Sequence, residues 1–141
     1  MMCQGVMKAD VKCVSRETTV EEAAVMMRDE GVGFLPICDS DRRVLGTITD
    51  RDITIRAVAG HESMAEPIEN FMTNHVVACR PGDDLGYAQE LMSQEKVSRI
   101  LCVDEAGMLE GVISLSDIAQ LHDGAGASAT LRNVSDREVR I

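Results

Sequence analysis

Aromatic side chains are nearly missing from this sequence, which has no Trp, a single Tyr (Tyr87) and two Phe (Phe34 and Phe71). That scarcity excludes a stacking platform for single-stranded nucleic acid. Basic residues are scarce as well, 14 Lys and Arg against 24 Asp and Glu, and the formal charge of −10 repels polyanions. Nucleic acid is therefore not an expected partner. No apolar run is long enough to span a bilayer, and the N-terminus lacks a basic segment followed by an apolar one. The expectation is a soluble, cytoplasmic protein with no membrane partner. There is no C-x-x-C, and the five cysteines (Cys3, Cys13, Cys38, Cys79, Cys102) are odd in number, four of them in apolar, β-prone stretches. They read as reduced core residues. His61, His75 and His122 are scattered and never meet a Cys or carboxylate at ligand spacing, so no metal site is expected.

What the chain does contain is a repeat. Val6 to Ile53 lies over Phe71 to Ile118 at a constant offset of 65 without a gap, and 11 of the 48 pairs are identical. Met7 with Met72, Ala23 with Ala88, Met27 with Met92, Gly46 with Gly111 and Asp52 with Asp117 are among them. Two copies at this period indicate a pseudo-symmetric pair sharing one core rather than an open array. Each unit alone would bury too little apolar surface, whereas 141 residues fit one compact domain.

One unit reads as strand, helix, strand, strand, helix. Val11 to Val14 is a short β-prone run. Thr18 or Thr19, three residues before Glu21 or Glu22, forms a capping-box signature for a helix over Val20 to Glu30, and Gly31 supplies a left-handed stop. Val20, Ala23 and Met27 mark its inner face. Phe34 to Cys38 and Val44 to Thr49 are strands around a polar turn at Asp39 to Arg43, and Asp50 opens a second helix through about Ala59. The second unit repeats the order: Val76 to Cys79, a helix over Leu85 to Glu95 with Ala88, Leu91 and Met92 inward, strands Arg99 to Val103 and Met108 to Ser114, and a helix from Leu115 to about His122. These patterns place a first unit at 1–60, a linker at 61–70 with room for one helical turn, a second unit at 71–123, and a flexible tail at 124–141. Leu131, Val134 and Val139 would allow that tail to dock as a short helix. The methionines at helical spacing are core filler, and Asp39-Ser40-Asp41 is a turn, since it lacks the later Gly and Glu of a calcium loop.

The strings VGFLPICDSDRRVLGTITDRDI and VSRILCVDEAGMLEGVISLSDI, each ending in G-h-h-[ST]-x-x-D with h apolar, resemble a tandem pair of cystathionine-β-synthase (CBS) domains, the arrangement called a Bateman module. The resemblance covers roughly Gly5 to His122. It implies an α+β fold in which two pseudo-symmetric β-α-β-β-α units pack through their sheets. It further implies a regulatory module that binds an adenosine-containing ligand (AMP, ADP, ATP, a nicotinamide dinucleotide or S-adenosylmethionine) between the units, with no chemistry of its own and no obligatory cofactor. Asp52 and Asp117 take the role of ribose ligands in that family. A homodimer of four units is implied too.

The residues themselves are compatible with such a site. Gly46 to Asp52 crosses from a strand end to a helix start, where backbone N–H groups lack intrahelical partners and attract anions, and Thr49 or Ser114 can add a hydroxyl. An ionised Asp52 or Asp117 offers only acceptors and suits a ribose diol. The same spacing is also that of a helix N-cap, worth about 1 kcal/mol to the helix and nothing to a ligand. Spacing alone does not separate the two.

Arginines decide whether phosphate is welcome, because a guanidinium makes two parallel charge-assisted bonds to it. By resemblance, Arg99 reaches the phosphates of a nucleotide held by the other unit, with Arg51 the second candidate and Arg56 the third. The second unit has Leu115-Ser116 where the first has Asp50-Arg51, and the first has Phe34 where the second has Arg99. One stronger site, centred on Asp52, and one weaker or empty site around Ser114 and Asp117 are expected. Two functions follow: a nucleotide sensor acting in trans on an effector protein, since the repeats nearly fill the chain, or a dimerisation scaffold whose endings are only caps. An enzyme is not expected, because no nucleophile, base and orienting group can be assembled.

Overall fold

A computed structural model describes residues 1–121 together with Val134. The expected tail at 124–141 lies outside the described residues except for Val134, which is helical and buried. The far end of the last helix, at His122, lies outside them as well. The fold is α+β, and the chain divides into two compact units. One is Lys12–Val76, and the other joins Met1–Val11 to the residues from Val77 onward. These boundaries differ from the 1–60 and 71–123 repeats: the lead-in of each repeat keeps company with the elements of the other copy.

In the unit Lys12–Val76, helix α1 (Val20–Glu30) is followed by strands β1 (Phe34–Cys38) and β2 (Val44–Thr49) and then by α2 (Asp50–Asp52), which runs on as a π-helical segment, Ile53–Val58. The predicted capping box is Thr19 with Glu22: the Glu22 N–H donates to Thr19 Oγ1 at 3.1 Å and the Thr19 N–H to Glu22 Oε1 at 3.0 Å. Gly31 stops α1 at φ 67°, with the Val32 N–H donating to Met27 O at 3.0 Å. β1 and β2 pair antiparallel from Phe34 opposite Thr49 to Cys38 opposite Val44, with a bulge at Ile37/Cys38. The run before α1 contributes only one bridge, Val14 to Ile37, rather than a strand. Val20, Ala23, Met27, Ile37, Ile48 and Ile68 are among the residues that close the core of this unit. Completely burying one such Ile is worth roughly 2–3 kcal/mol.

The second unit repeats the plan with β3 (Ala78–Cys79), α3 (Leu85–Glu95), β4 (Arg99–Val103), β5 (Leu109–Ser114) and α4 (Leu115–Ala119). β3 runs parallel to β4, and β4 antiparallel to β5. Cys3, Ala88, Met92, Ile100, Ile113 and Ile118 lie in its core. Lys96 ends α3 in the left-handed region at φ 56°, where the first repeat uses Gly31. Both hairpin turns are fastened by an aspartate: Asp39 Oδ1 accepts from the N–H groups of Asp41 and Arg43, and Asp104 Oδ1 from those of Ala106 and Met108, all at 2.9 Å. The Asp39 segment is thus a turn, as its sequence predicts.

Each hairpin receives a lead-in segment on the outer side of its second strand. Thr73 and Thr47 exchange N–H···O bonds at 2.9 and 3.0 Å in one unit, and Lys8 and Val112 do the same at 2.9 and 3.0 Å in the other. Gly46 and Gly111 make the approach possible. A Cβ at Gly46 would lie 2.7 Å from Thr73 O, and one at Gly111 2.8 Å from Lys8 O. These two glycines, identical in the repeat, are required by backbone contact.

Candidate functional site

The strand-to-helix endings are where the sequence concentrates its candidate ligands, and each unit builds one. At the end of β2, Thr49 has extended φ and ψ and serves as N-cap: its Oγ1 accepts from the Asp52 N–H and its own N–H donates to Asp52 Oδ2, both at 3.1 Å. The other oxygen, Asp52 Oδ1, lies 3.5 Å from Arg56 Nη2. Arg56 is pinned further by hydrogen bonds from Nη1 to Phe71 O at 2.7 Å and to Thr73 Oγ1 at 3.3 Å. The i,i+4 helical spacing brings Arg56 over Asp52, and the lead-in strand at Thr73 holds it there.

The first N–H groups of α2 do not stand open to an anion. That of Asp50 donates to Gly33 O at 2.9 Å, that of Arg51 to Asp50 Oδ1 at 2.8 Å, and that of Asp52 to Thr49 Oγ1. This corrects the expectation of an amide cradle there, because the turn from β2 into α2 consumes its own donors. Arg51 is exposed at the first turn.

The other ending has the same architecture with different charges. Ser114 Oγ accepts from the Asp117 N–H at 3.1 Å, and the Ser114 N–H donates to Asp117 Oδ2 at 3.0 Å. Lys8 Nζ lies 3.3 Å from Asp117 Oδ1. Burial pushes the Asp117 carboxyl up, but the Ser114 N–H and hydroxyl and the Lys8 ammonium outweigh it and hold the group below its ordinary value of 3.8. It is ionised at neutral pH and only 11% of its side chain is exposed, so its remaining lone pairs face a restricted space. Ser116, at the position of Arg51, is hydrogen-bonded to Ser114 Oγ at 2.9 Å and brings no charge.

The structure therefore brings Thr49, Arg51 and Asp52 together in one unit and Arg99, Ser114 and Asp117 in the other. Arg99 is half-buried at the start of β4, opposite Ser114 in the strand register, as Phe34 is opposite Thr49. Sequence reasoning ranked Arg56 below Arg51 and missed Lys8. The i,i+4 relation to Asp52 was available as a signal for Arg56. Nothing local marks Lys8, which reaches Asp117 only because the lead-in strand pairs with β5.

Comparison with known proteins gives the family and the fold. The family described as the CBS domain matches residues 3–58 and again 68–123. The chain belongs to the CBS domain family and carries two copies of the domain. It is 31% identical over 135 residues to the CBS domain-containing protein YhcV of Bacillus subtilis, covering 94% of both chains. Among solved structures it is similar to the CBS domain pair of protein MJ0100 in complex with 5-methylthioadenosine and S-adenosyl-L-methionine (TM-score 0.79, 23% identity, covering 89% of this chain and 98% of that one). It is also similar to the CBS domain protein PAE2072 from Pyrobaculum aerophilum complexed with AMP (TM-score 0.76, 23% identity, covering 96% and 99%). These two likenesses establish the fold. Among the described residues no cluster of three or more His, Cys, Asp or Glu could hold a metal ion, and no helix is long and apolar enough to cross a membrane.

Proposed function

We propose that this CBS pair is a non-catalytic regulatory module that binds an adenosine-containing ligand of the AMP, ADP, ATP or nicotinamide-dinucleotide class. In this reading the module works as a homodimer and signals to an effector protein in trans. The observation that carries the reading is the state of the two carboxylates. Asp52 and Asp117 each spend one oxygen on a cap N–H and the other on a single cation, and a carboxylate has about four lone-pair sites. Acceptor capacity therefore remains at a rigid, mostly buried position, which is what a ribose diol needs. Arg51 and Arg99 supply the charge for phosphate, with the stronger site at Asp52. Binding of AMP by the Pyrobaculum protein and of S-adenosylmethionine by MJ0100 supports the ligand class.

A second reading, a ligand-independent dimerisation scaffold, is favoured by one feature: both caps are complete and both carboxylates already have cationic partners. Thermal unfolding of nucleotide-stripped protein with AMP, ADP, ATP, NAD and S-adenosylmethionine separates the two. A ligand that binds only the folded state raises the midpoint in proportion to the logarithm of its concentration, by about 2.7 kcal/mol of stabilisation at a hundred times Kd. A flat response to all five would leave the scaffold.

A further inference from the structure

At the turn end of the first hairpin, away from the Thr49 ending, two thiols and a guanidinium meet. The bridge of Val14 to Ile37 is parallel, with the Val14 N–H donating to Pro36 O at 3.0 Å and the Cys38 N–H to Val14 O at 2.9 Å. Alternation along the strand puts Cys13 and Cys38 on the face opposite Val14. On that face Cys13 is near enough to Cys38 to disfavour its thiolate. Arg42 Nη1 approaches Cys13 Sγ at 3.8 Å, carried there by a turn in which Arg42 itself takes φ 66° and donates its N–H to Asp39 O at 3.0 Å. Cys13 is only half-buried, and both cysteines line a cavity of about 460 Å³ with Ser15, Arg16, Asp39 and Leu45.

The repeat supplies an internal control. The positions equivalent to Cys13, Cys38 and Arg42 in the other copy are Ala78, Val103 and Gly107, and Gly107 also has positive φ. The backbone needs neither sulfur nor guanidinium at this place, so the three side chains are an addition to the fold. The other neighbouring thiols, with Cys79 Sγ at 3.6 Å from Cys3 Sγ and 3.5 Å from Cys102 Sγ, are fully buried.

We propose that Cys13 and Cys38 are a peroxide-responsive pair that closes to an intramolecular disulfide. Cys13, facing the cavity and the Arg42 guanidinium, attacks one oxygen of a hydroperoxide as its thiolate. An S–O bond forms, the O–O bond breaks, and the departing hydroxide takes up the proton that the thiol lost, giving a sulfenic acid and water. The Cys38 sulfur then attacks the sulfenic sulfur, the S–O bond breaks, and the hydroxyl leaves as water with the Cys38 proton. Two thiols have lost two electrons and two protons, and hydrogen peroxide has become two waters. The roles follow from exposure: burial, then the neighbouring Cys13, pushes the Cys38 thiol up to about 12 despite Arg42, which leaves it the protonated resolving partner. The product would tie the segment ahead of α1 to β1 covalently, where one bridge now holds it.

The test uses the full chain, reduced and then exposed to stoichiometric hydrogen peroxide, with alkylation under denaturing conditions and peptide mass spectrometry. The expected result is a Cys13–Cys38 linkage with Cys3, Cys79 and Cys102 alkylated. Cys38→Ser should stop at a dimedone-trapped sulfenic acid on Cys13. Arg42→Gly, which suits the positive φ and so leaves the fold intact, should slow linkage several-fold. Five alkylatable thiols after treatment, or a linkage within Cys3, Cys79 and Cys102, would overturn the pair; an unchanged rate in Arg42→Gly would overturn the part given to Arg42.

Discussion

Lys8 Nζ stands 3.3 Å from Asp117 Oδ1, joining the lead-in of the first repeat to the helix start of the second within one compact unit. The pair makes a pH-dependent prediction. The folded-state pKa of Asp117 is depressed, so its stabilising effect is fully present above the ordinary value of 3.8 and is lost as pH falls through the lower folded value. Lys8 is largely exposed, which limits its share to roughly 0.2–1 kcal/mol. Lys8→Met should therefore cost that amount at neutral pH and less at about pH 2, as the pH falls toward the lowered folded value of Asp117 and its charge is lost. Urea titrations at the two pH values check it, and an equal loss at both would assign the effect to the packing of the Lys8 stem.

The glycines under the lead-in strands predict a second asymmetry. Gly46→Ala and Gly111→Ala force a methyl against backbone oxygens of Thr73 and Lys8, at 2.7 and 2.8 Å, and backbone cannot step aside as a side-chain tip can. Each should cost about 1–3 kcal/mol. Gly82→Ala meets nothing within 4 Å and should be neutral or stabilising by up to about 1 kcal/mol. Chemical denaturation of the three variants decides it.

Lys96 predicts a gain. It occupies the left-handed stop of α3 at φ 56°, a conformation that costs a side-chain-bearing residue roughly 1–2 kcal/mol and glycine almost nothing. Lys96→Gly should raise the unfolding midpoint, while Gly31→Lys at the equivalent stop of α1 should lower it. Calorimetric unfolding of both variants would show the opposite signs.

The repeat made much of the fold legible, and it also shows where legibility ended. Thr19, Glu22 and Gly31 announced α1 because their signals are local, and Asp39 and Asp104 announced the turns they fasten. Lys96 carried no such signal: its left-handed conformation is imposed by the pattern it shares with Gly31, and only the alignment at offset 65 could have revealed it. The π-helical run after Asp52 was read as a plain helix because apolar spacing at Ile53 and Ala57 fits both. The lead-in strands at Lys8 and Thr73 were missed because their partners lie far along the chain and a single bridge has no periodicity. For the site, Thr49, Asp52, Ser114 and Asp117 were legible as caps and Arg56 was marked by its i,i+4 spacing from Asp52, whereas Lys8 beside Asp117 was not legible. The cysteines were read as one inert class, and it is partial exposure together with the Arg42 guanidinium that separates Cys13 from the other four.

In the proposed function, Asp52 anchors the ribose of an adenosine-containing ligand and does more than cap α2. Calorimetric titration of nucleotide-stripped protein with AMP, ADP, ATP, NAD and S-adenosylmethionine tests it, using the wild type, Asp52→Asn, Asp52→Ala and Asp117→Ala. Asp52→Asn keeps an oxygen for the Thr49 N–H but loses the ionised, acceptor-only carboxylate. The predicted result is saturable binding by the wild type, weakened at least tenfold (about 1.4 kcal/mol) in both Asp52 variants and less in Asp117→Ala. Undiminished affinity in folded Asp52→Ala, loss confined to Asp117→Ala, or no binding of any ligand by the folded wild type would contradict it.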